Sequence, residues 1–563
     1  MNDFTKFDAT LGVSDVYVKA ISDLHKIIRV HTTIHILVVV DGGISLTEAP
    51  SGFGVGRVVR LLRESHIGCT HFSVDLARRN NVAPSTNNSP APHEPRYTGF
   101  RFDQLEGGQP IVNKYHEVWC FGFNPDNAAG PDSNITQAGA LPTSDAELKV
   151  LTQWMNDRQG GLLAMGDHDY LGASMCHRIP RIRSMRRWTN AQGVPPIGGA
   201  LDADTHLRHD TNQPATPGQI NAGAPIPFSN QEDSTPQPID WVPWISQLVS
   251  IFKVIERPHP ILCHPTHGPI NVMPDHPHEG WCFEDDEIDL TATYGFLDLT
   301  GDEYPTVSGQ QPQPRVIAHG TTTPNPPFNL EKGPSPRKRF AMISVYDGHP
   351  ANVGRVATDS TWHHWFDENL QEIEAAGGTN WDKISRYFLN VATWLAPPGV
   401  PDWCIIFEIV RTHFTYLGFQ EYSLKSSIFD LGKALHTHLI RYLSPCWVTH
   451  WVFDKIRLVD DDIWAWLKDR LFWKDGIPVP GGDPCLSCPP FELVEIAVLG
   501  GLVRASFPVA DEIKAHVDKK PDRPLKMDAE RIIKQQLEGV EIGLQEFRGV
   551  LTKSIKEMKP LLR

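Results

Sequence analysis

The stretch Gly161-Leu-Leu-Ala-Met-Gly-Asp-His-Asp-Tyr-Leu-Gly172 carries the first decision about the fold. Leu162 to Met165 are apolar without alternation, the pattern of a strand buried on both faces of a parallel sheet. Gly166 permits a sharp turn, and Asp167, His168 and Asp169 follow it. In open α/β sheets ligands gather outside the carboxyl ends of the strands, so this turn is the first candidate for a site. An imidazole between two carboxylates can be a metal ligand set, an acid and base, or a hydrogen-bonded knot. The residues alone leave the three open.

Outward from this point, Ile34 to Val40, Thr70 to Val74 and Glu117 to Gly122 also read as strands. Ser144 to Arg158 reads as a helix opened by a capping box of Ser144 and Glu147. Ser14 to Arg29 and Arg57 to Glu64 have apolar residues at helical spacing. The glycines of Gly52 to Gly56 lack both the dinucleotide spacing and the Walker lysine, and are read as packing residues. This alternation predicts a parallel sheet covered by helices. From about residue 190 to 329 the chain is rich in Pro, Gly, Asn and Asp, a long loop-rich insert. Strands are expected again at Arg315 to Ala318, Phe340 to Tyr346 and Gly354 to Thr358, with a helix opening within Asp359 to Trp365 and another at Trp381 to Leu395.

Ala396-Pro-Pro-Gly-Val-Pro401 reads as a domain boundary, with an α/β domain over residues 1–400 and a helical one over 401–563. Ile405 to Leu417, Leu424 to Leu443, Trp447 to Leu471, Phe491 to Val503 and Ala529 to Lys556 all have helical length or period. A chain of 563 residues exceeds one ordinary core, which agrees with that division. The net charge of -15 excludes general electrostatic binding to nucleic acid or anionic membrane. No apolar run reaches the roughly 18 residues of a membrane span, and no basic segment leads an apolar one at Met1 to Asp8, so a cytoplasmic protein is expected. The cysteines number nine, and Cys485-Leu-Ser-Cys488 is read as a reduced turn between prolines rather than as a zinc site.

Three places carry a family resemblance: the strand Ile34 to Val40, the elbow Gly166-Asp167-His168, and the run from Tyr346 through Gly354-Arg355-Val356 to His363. On these, residues 1–400 resemble the class I glutamine amidotransferase-like superfamily, and within it the trehalose-utilisation (ThuA-like) branch. The resemblance implies a flavodoxin-like or Rossmann-like, doubly wound, mostly parallel sheet, and does not extend to the insert or the helical tail. The elbow of amidotransferases is Gly-x-Cys-x-Gly. Here His168 stands where the thiol would be and Tyr170 replaces the last glycine. Without a thiolate the glutaminase reaction has no nucleophile, and glutamine hydrolysis is excluded.

What remains is a dense set of imidazoles and carboxylates in loops: His168 and Asp169, His264 and His267, Asp275, His278 and Glu279, His319, Asp347 and His349, and Asp359 with His363 and His364. Such groups are ligands of zinc, manganese and non-haem iron. His168, His278 and His363 are expected to hold a divalent ion or to move protons, with Asp169 and Glu279 as base or ligand. Arg181, Arg183 and Arg186, in a run that also holds Arg178 and Arg187, would grip an anion, beside Asp41 at the end of the first strand. The reading is a metal-assisted hydrolase or lyase acting on a small anionic or carbohydrate-like molecule. A different class stays open beside it, a non-catalytic binding or assembly protein that forms homo-oligomers through its helical tail. Its basis is the apolar stripe of the last helix, Ile532, Ile533, Leu537, Val540, Ile542, Leu544 and Val550.

Overall fold

The computed structural model describes residues 32–48, 54–79, 85–86, 94–125, 141–167, 170–192, 236–250, 253–274, 280–321, 339–415, 426–471, 491–519 and 529–558. The expected helix Ser14 to Arg29, the site candidates His168, Asp169, Asp275, His278 and Glu279, and the pair Cys485 and Cys488 lie outside these residues.

Seven strands form the body of one mixed, largely parallel sheet: β1 (Thr33–Asp41), β2 (Thr70–Arg79), β3 (Glu117–Phe121), β4 (Gly161–Met165), β5 (Arg315–Thr321), β6 (Arg339–Tyr346) and β7 (Val356–Asp359). Their order across the sheet is β5-β6-β7-β4-β3-β1-β2, with Asp240–Trp241 paired outside β5 and Tyr97–Thr98 outside β2. The β2, β1, β3, β4 and β7 strands are mutually parallel. The β7-β6 and β6-β5 pairs are antiparallel.

Register aligns the carboxyl ends. Val40 pairs with Phe121, Phe121 with Met165, and Met165 with Asp359, so the next residues, Asp41, Gly122, Gly166 and Ser360, lie along one edge. Along β1, Ile36, Val38 and Val40 enter one apolar cluster while Leu37 and Val39 enter another on the opposite face. That explains the unbroken apolar runs, because a central parallel strand is covered on both sides.

Helices α1 (Gly56–Glu64), α2 (Asp145–Asp157), α3 (Asp367–Ala376) and α4 (Gly378–Leu395) accompany the sheet. The capping box of α2 forms as expected from Ser144 and Glu147. The Asp359 to Trp365 segment departs from expectation: Asp359 ends β7, and α3 starts only at Asp367. The intervening residues turn polar side chains inward, where they bond one another and compete with a helical turn. Within the described part of the insert the chain forms small hairpins, Pro243–Ser250 with Lys253–Pro258, Cys263–His264 with Gly268–Pro269, and Thr293–Phe296 with Leu299–Asp302.

After Pro401 the described elements are helical: α5 (Val400–Thr415), α6 (Ile428–Leu439), α7 (Pro445–Val459), α8 (Asp461–Leu471), α9 (Phe491–Lys519) and α10 (Ala529–Met558). One apolar cluster runs from Ile34 on β1 to Phe547 on α10, so the core is continuous across the proline-rich break. Part of the stripe on α10, Val540 and Leu544, is met inside the chain. Val540, Leu544 and Phe547 are buried, and the helix lies so close to α9 that a Cβ on Gly543 would stand 2.3 Å from the Ala497 carbonyl oxygen. Ile533 and Val550, also counted in the stripe, face outward at 36% and 42% exposure. Among the described residues no helix is long and apolar enough to cross a membrane.

Candidate functional site

The order of the five parallel strands reverses between β1 and β3, and a crevice outside that point is the usual ligand position in an open α/β sheet. Asp41 ends β1 there. Its Oδ1 accepts from the backbone N–H groups of Phe123 (2.5 Å) and Asn124 (3.1 Å), just past β3. Burial pushes the Asp41 carboxyl up to about 6, and the two backbone donors only partly offset that rise. A carboxyl group titrating near neutrality is suited to proton transfer.

One step along the edge, Gly166 makes the turn that the sequence implied. A Cβ there would lie 2.1 Å from the Leu171 carbonyl oxygen and 2.9 Å from the Trp188 ring. The turn delivers Asp167, which is fully buried. Its Oδ1 accepts from the Thr361 hydroxyl at 2.7 Å, and its Oδ2 faces His363 Nε2 at 3.8 Å. On the other side of that ring, Nδ1 lies 2.9 Å from Asn369 Oδ1 and 3.8 Å from Glu368 Oε1. Since the Asn369 oxygen accepts, Nδ1 carries the proton and Nε2 is the nitrogen turned toward Asp167. Thr361 Oγ1 also accepts from the His363 backbone N–H at 3.0 Å, which locks the loop between β7 and α3.

Asp359 forms the floor of this edge. Its carboxylate binds His364 Nδ1 at 2.7 Å, Trp365 Nε1 at 3.0 Å and the Tyr387 hydroxyl at 3.1 Å. The Trp362 indole donates to the Gly122 carbonyl at 2.9 Å and so ties the loop back to β3.

The arginine run is built into the protein. Arg186, fully buried, donates to the carbonyl oxygens of Asp359 (3.0 Å), Asp167 (2.7 Å) and Ser360 (2.7 Å), and its guanidinium lies over the Trp188 ring. It fixes the backbone beneath the site. Arg181 donates to the backbone oxygen of Glu303 and to Asn156, and Arg183 pairs with the Glu303 carboxylate. Thus Arg181, Arg183 and Arg186 have protein acceptors where the sequence reading gave them an anion. The acceptor that sequence order hides is Glu303, over a hundred residues away.

The remaining loop imidazoles disperse. His319 pairs with Glu284 at 3.0 Å, His267 with Asp382 at 3.2 Å, and His264 Nδ1 accepts backbone N–H groups of Thr266 and His267. Among the described residues, one group of metal-ligand type stands close together: Asp347, His450 and Asp454. A protein cation already sits in it. Arg355 Nη2 lies 2.8 Å from His450 Nε2 and 2.8 Å from Asp454 Oδ2, while its Nε donates to Asp347 at 2.9 Å. Burial works against ionising Asp347, yet Arg355 and His450 hold its carboxyl well below the usual range.

Of the expected site residues, the described ones at the sheet edge are Asp41 and His363. Asp167, quoted with the elbow, joins them there, and Thr361, Glu368 and Asn369 are additions that no sequence pattern marked. No protein-family model matches this chain, and neither a curated protein nor a solved structure does.

Proposed function

We propose that the chain is an amidotransferase-like α/β protein, without glutaminase activity, whose sheet edge carries out hydrolysis or elimination on a small carbohydrate-like molecule. The observation that supports it is the placement of three ionisable groups, Asp41, Asp167 and His363, along one carboxyl edge beside the strand-order reversal. The parallel strand order 2-1-3-4-5, counting those strands along the chain, agrees with a flavodoxin-like sheet. His363 moves the proton, with its tautomer set by Asn369, and Asp41 is the group able to exchange one near neutral pH. An uncharged substrate is preferred to an anionic one because Arg181, Arg183 and Arg186 already have protein acceptors.

Asp167 and His363 fit part of a divalent zinc, manganese or iron site, one carboxylate and one imidazole, with Asn369 orienting the ring from behind. Such an ion would polarise a substrate oxygen or a bound water. His168, Asp169, His278 and Glu279 belong to this reading as further ligands or base, from segments outside the described residues.

A second reading is favoured by one observation: Asp167, Thr361, His363 and Asn369 are all fully buried. In that reading the network is a structural knot, and the protein binds or assembles without catalysis, with Ile533 and Val550 on α10 available for self-association. A turnover screen of the full chain against glycosides, lactones and sugar-acid esters separates the two, with ion content measured on the same sample. Turnover of any member supports catalysis; no turnover with no stoichiometric ion supports the knot.

A further inference from the structure

Outside the sheet edge, two cysteines meet at the junction between the insert and the helical tail. Cys263 lies in the short strand Cys263–His264, and Cys446 in the first turn of α7. Their sulfurs are 2.6 Å apart, and the residues are only 3% and 4% exposed. Unbonded atoms of carbon size pack at about 3.5–4.0 Å, and sulfur is larger. A disulfide is about 2.05 Å long. The observed separation is therefore on the bonded side of ordinary packing.

The surroundings favour a thiolate on one partner. The Cys263 sulfur faces the start of α7, where it meets the Cys446 thiol, the Cys446 backbone N–H and the Ser444 hydroxyl, with Arg257 beyond. Helix N-termini and nearby guanidinium groups stabilise thiolates. The Cys446 thiol, followed by the backbone N–H, the hydroxyl and the arginine, brings the Cys263 thiol down to about 7 against the opposing effect of burial. The backbone is held as well, since Asn390 donates to the Cys263 carbonyl at 3.0 Å.

We infer that Cys263 and Cys446 are an oxidisable dithiol, closed by hydrogen peroxide into a disulfide that staples the Cys263–Pro269 hairpin to α7. The Cys263 thiolate attacks one peroxide oxygen, the O–O bond breaks, and the departing hydroxide takes up the proton released by Cys263 to become water. The resulting sulfenic acid is attacked by the Cys446 sulfur, the S–O bond breaks, and hydroxide leaves with the Cys446 proton as a second water. Two thiols are oxidised by two electrons and one peroxide is reduced.

The test uses the full chain, fully reduced and then exposed to equimolar hydrogen peroxide. After unfolding, alkylation and digestion without reductant, the peptides of Cys263 and Cys446 should be recovered joined, in a protein lighter by two hydrogen atoms. Dithiothreitol should restore both alkylated peptides, and Cys446→Ser should abolish the joined species. Other buried neighbours, Cys69 with Cys404 and Cys120 with Cys176, are internal comparisons. Recovery of Cys263 and Cys446 singly alkylated, or joined to one of these instead, overturns the inference whether or not the variant folds.

Discussion

Asp167 Oδ2 and His363 Nε2 face each other at 3.8 Å in a fully buried setting, one carried by the turn after β4 and the other by the loop after β7. The distance exceeds a hydrogen bond, yet each partner is fixed from behind, Asp167 by Thr361 and His363 by Asn369.

Thr361 serves both partners, donating to Asp167 and accepting from the His363 backbone. Thr361→Val keeps the shape and removes both bonds. Denaturant unfolding should show a loss of about 1–3 kcal/mol, the usual result of leaving a buried carboxylate short of a donor. An unchanged midpoint would mean that the loop does not depend on this hydroxyl.

Asp41 gives a pH signature. Its folded pKa is raised from 3.8 to about 6, so the fold holds the proton more tightly than the unfolded chain does. The resulting stabilisation is complete below the unfolded value and is lost as pH rises through the folded one. Asp41→Asn lacks this titration. Between about pH 4 and about pH 7 the variant should gain on the order of 2–3 kcal/mol relative to the parent, measured by thermal unfolding across the range. A pH-independent difference would contradict the burial argument.

Gly166 has no room for a side chain, because the Leu171 carbonyl oxygen lies 2.1 Å from the Cβ position. Gly166→Ala should lower stability by about 1–3 kcal/mol through forced displacement of that backbone. Calorimetry that finds no loss would show a looser turn.

Arg355 occupies the space among Asp347, His450 and Asp454 where an ion would otherwise sit. Arg355→Ala leaves two carboxylates facing an imidazole and should cost about 3–5 kcal/mol. Added zinc should recover part of that loss in the variant and leave the unfolding of the parent unchanged. A zinc-dependent rise in the parent would show that the guanidinium does not exclude an ion.

The sheet was legible in the sequence because its strands are covered on both faces, so Ile34 to Val40 and Leu162 to Met165 appear as unbroken apolar runs. Asp41 and His363 were legible for a related reason, since each follows a strand and bears a side chain of obvious chemistry. Thr361 and Asn369 were not, because a threonine or asparagine in a loop gains its role only from the neighbour that folding supplies. The acceptor of Arg181 and Arg183 was hidden for the same reason: Glu303 is absent from their local sequence. The helix expected within Asp359 to Trp365 failed because His364 and Trp365 turn their ring nitrogens inward onto the Asp359 carboxylate.

In the proposed function His363 moves a proton at the sheet edge. The most direct measurement is turnover by the full chain and by His363→Gln, side by side, on the panel of glycosides, lactones and sugar-acid esters. The expected result is turnover by the parent and a loss of about 100-fold or more in the variant, the usual contribution of a positioned general acid or base, with folding retained. Equal turnover by the two proteins, or none by the parent on any member, would contradict it.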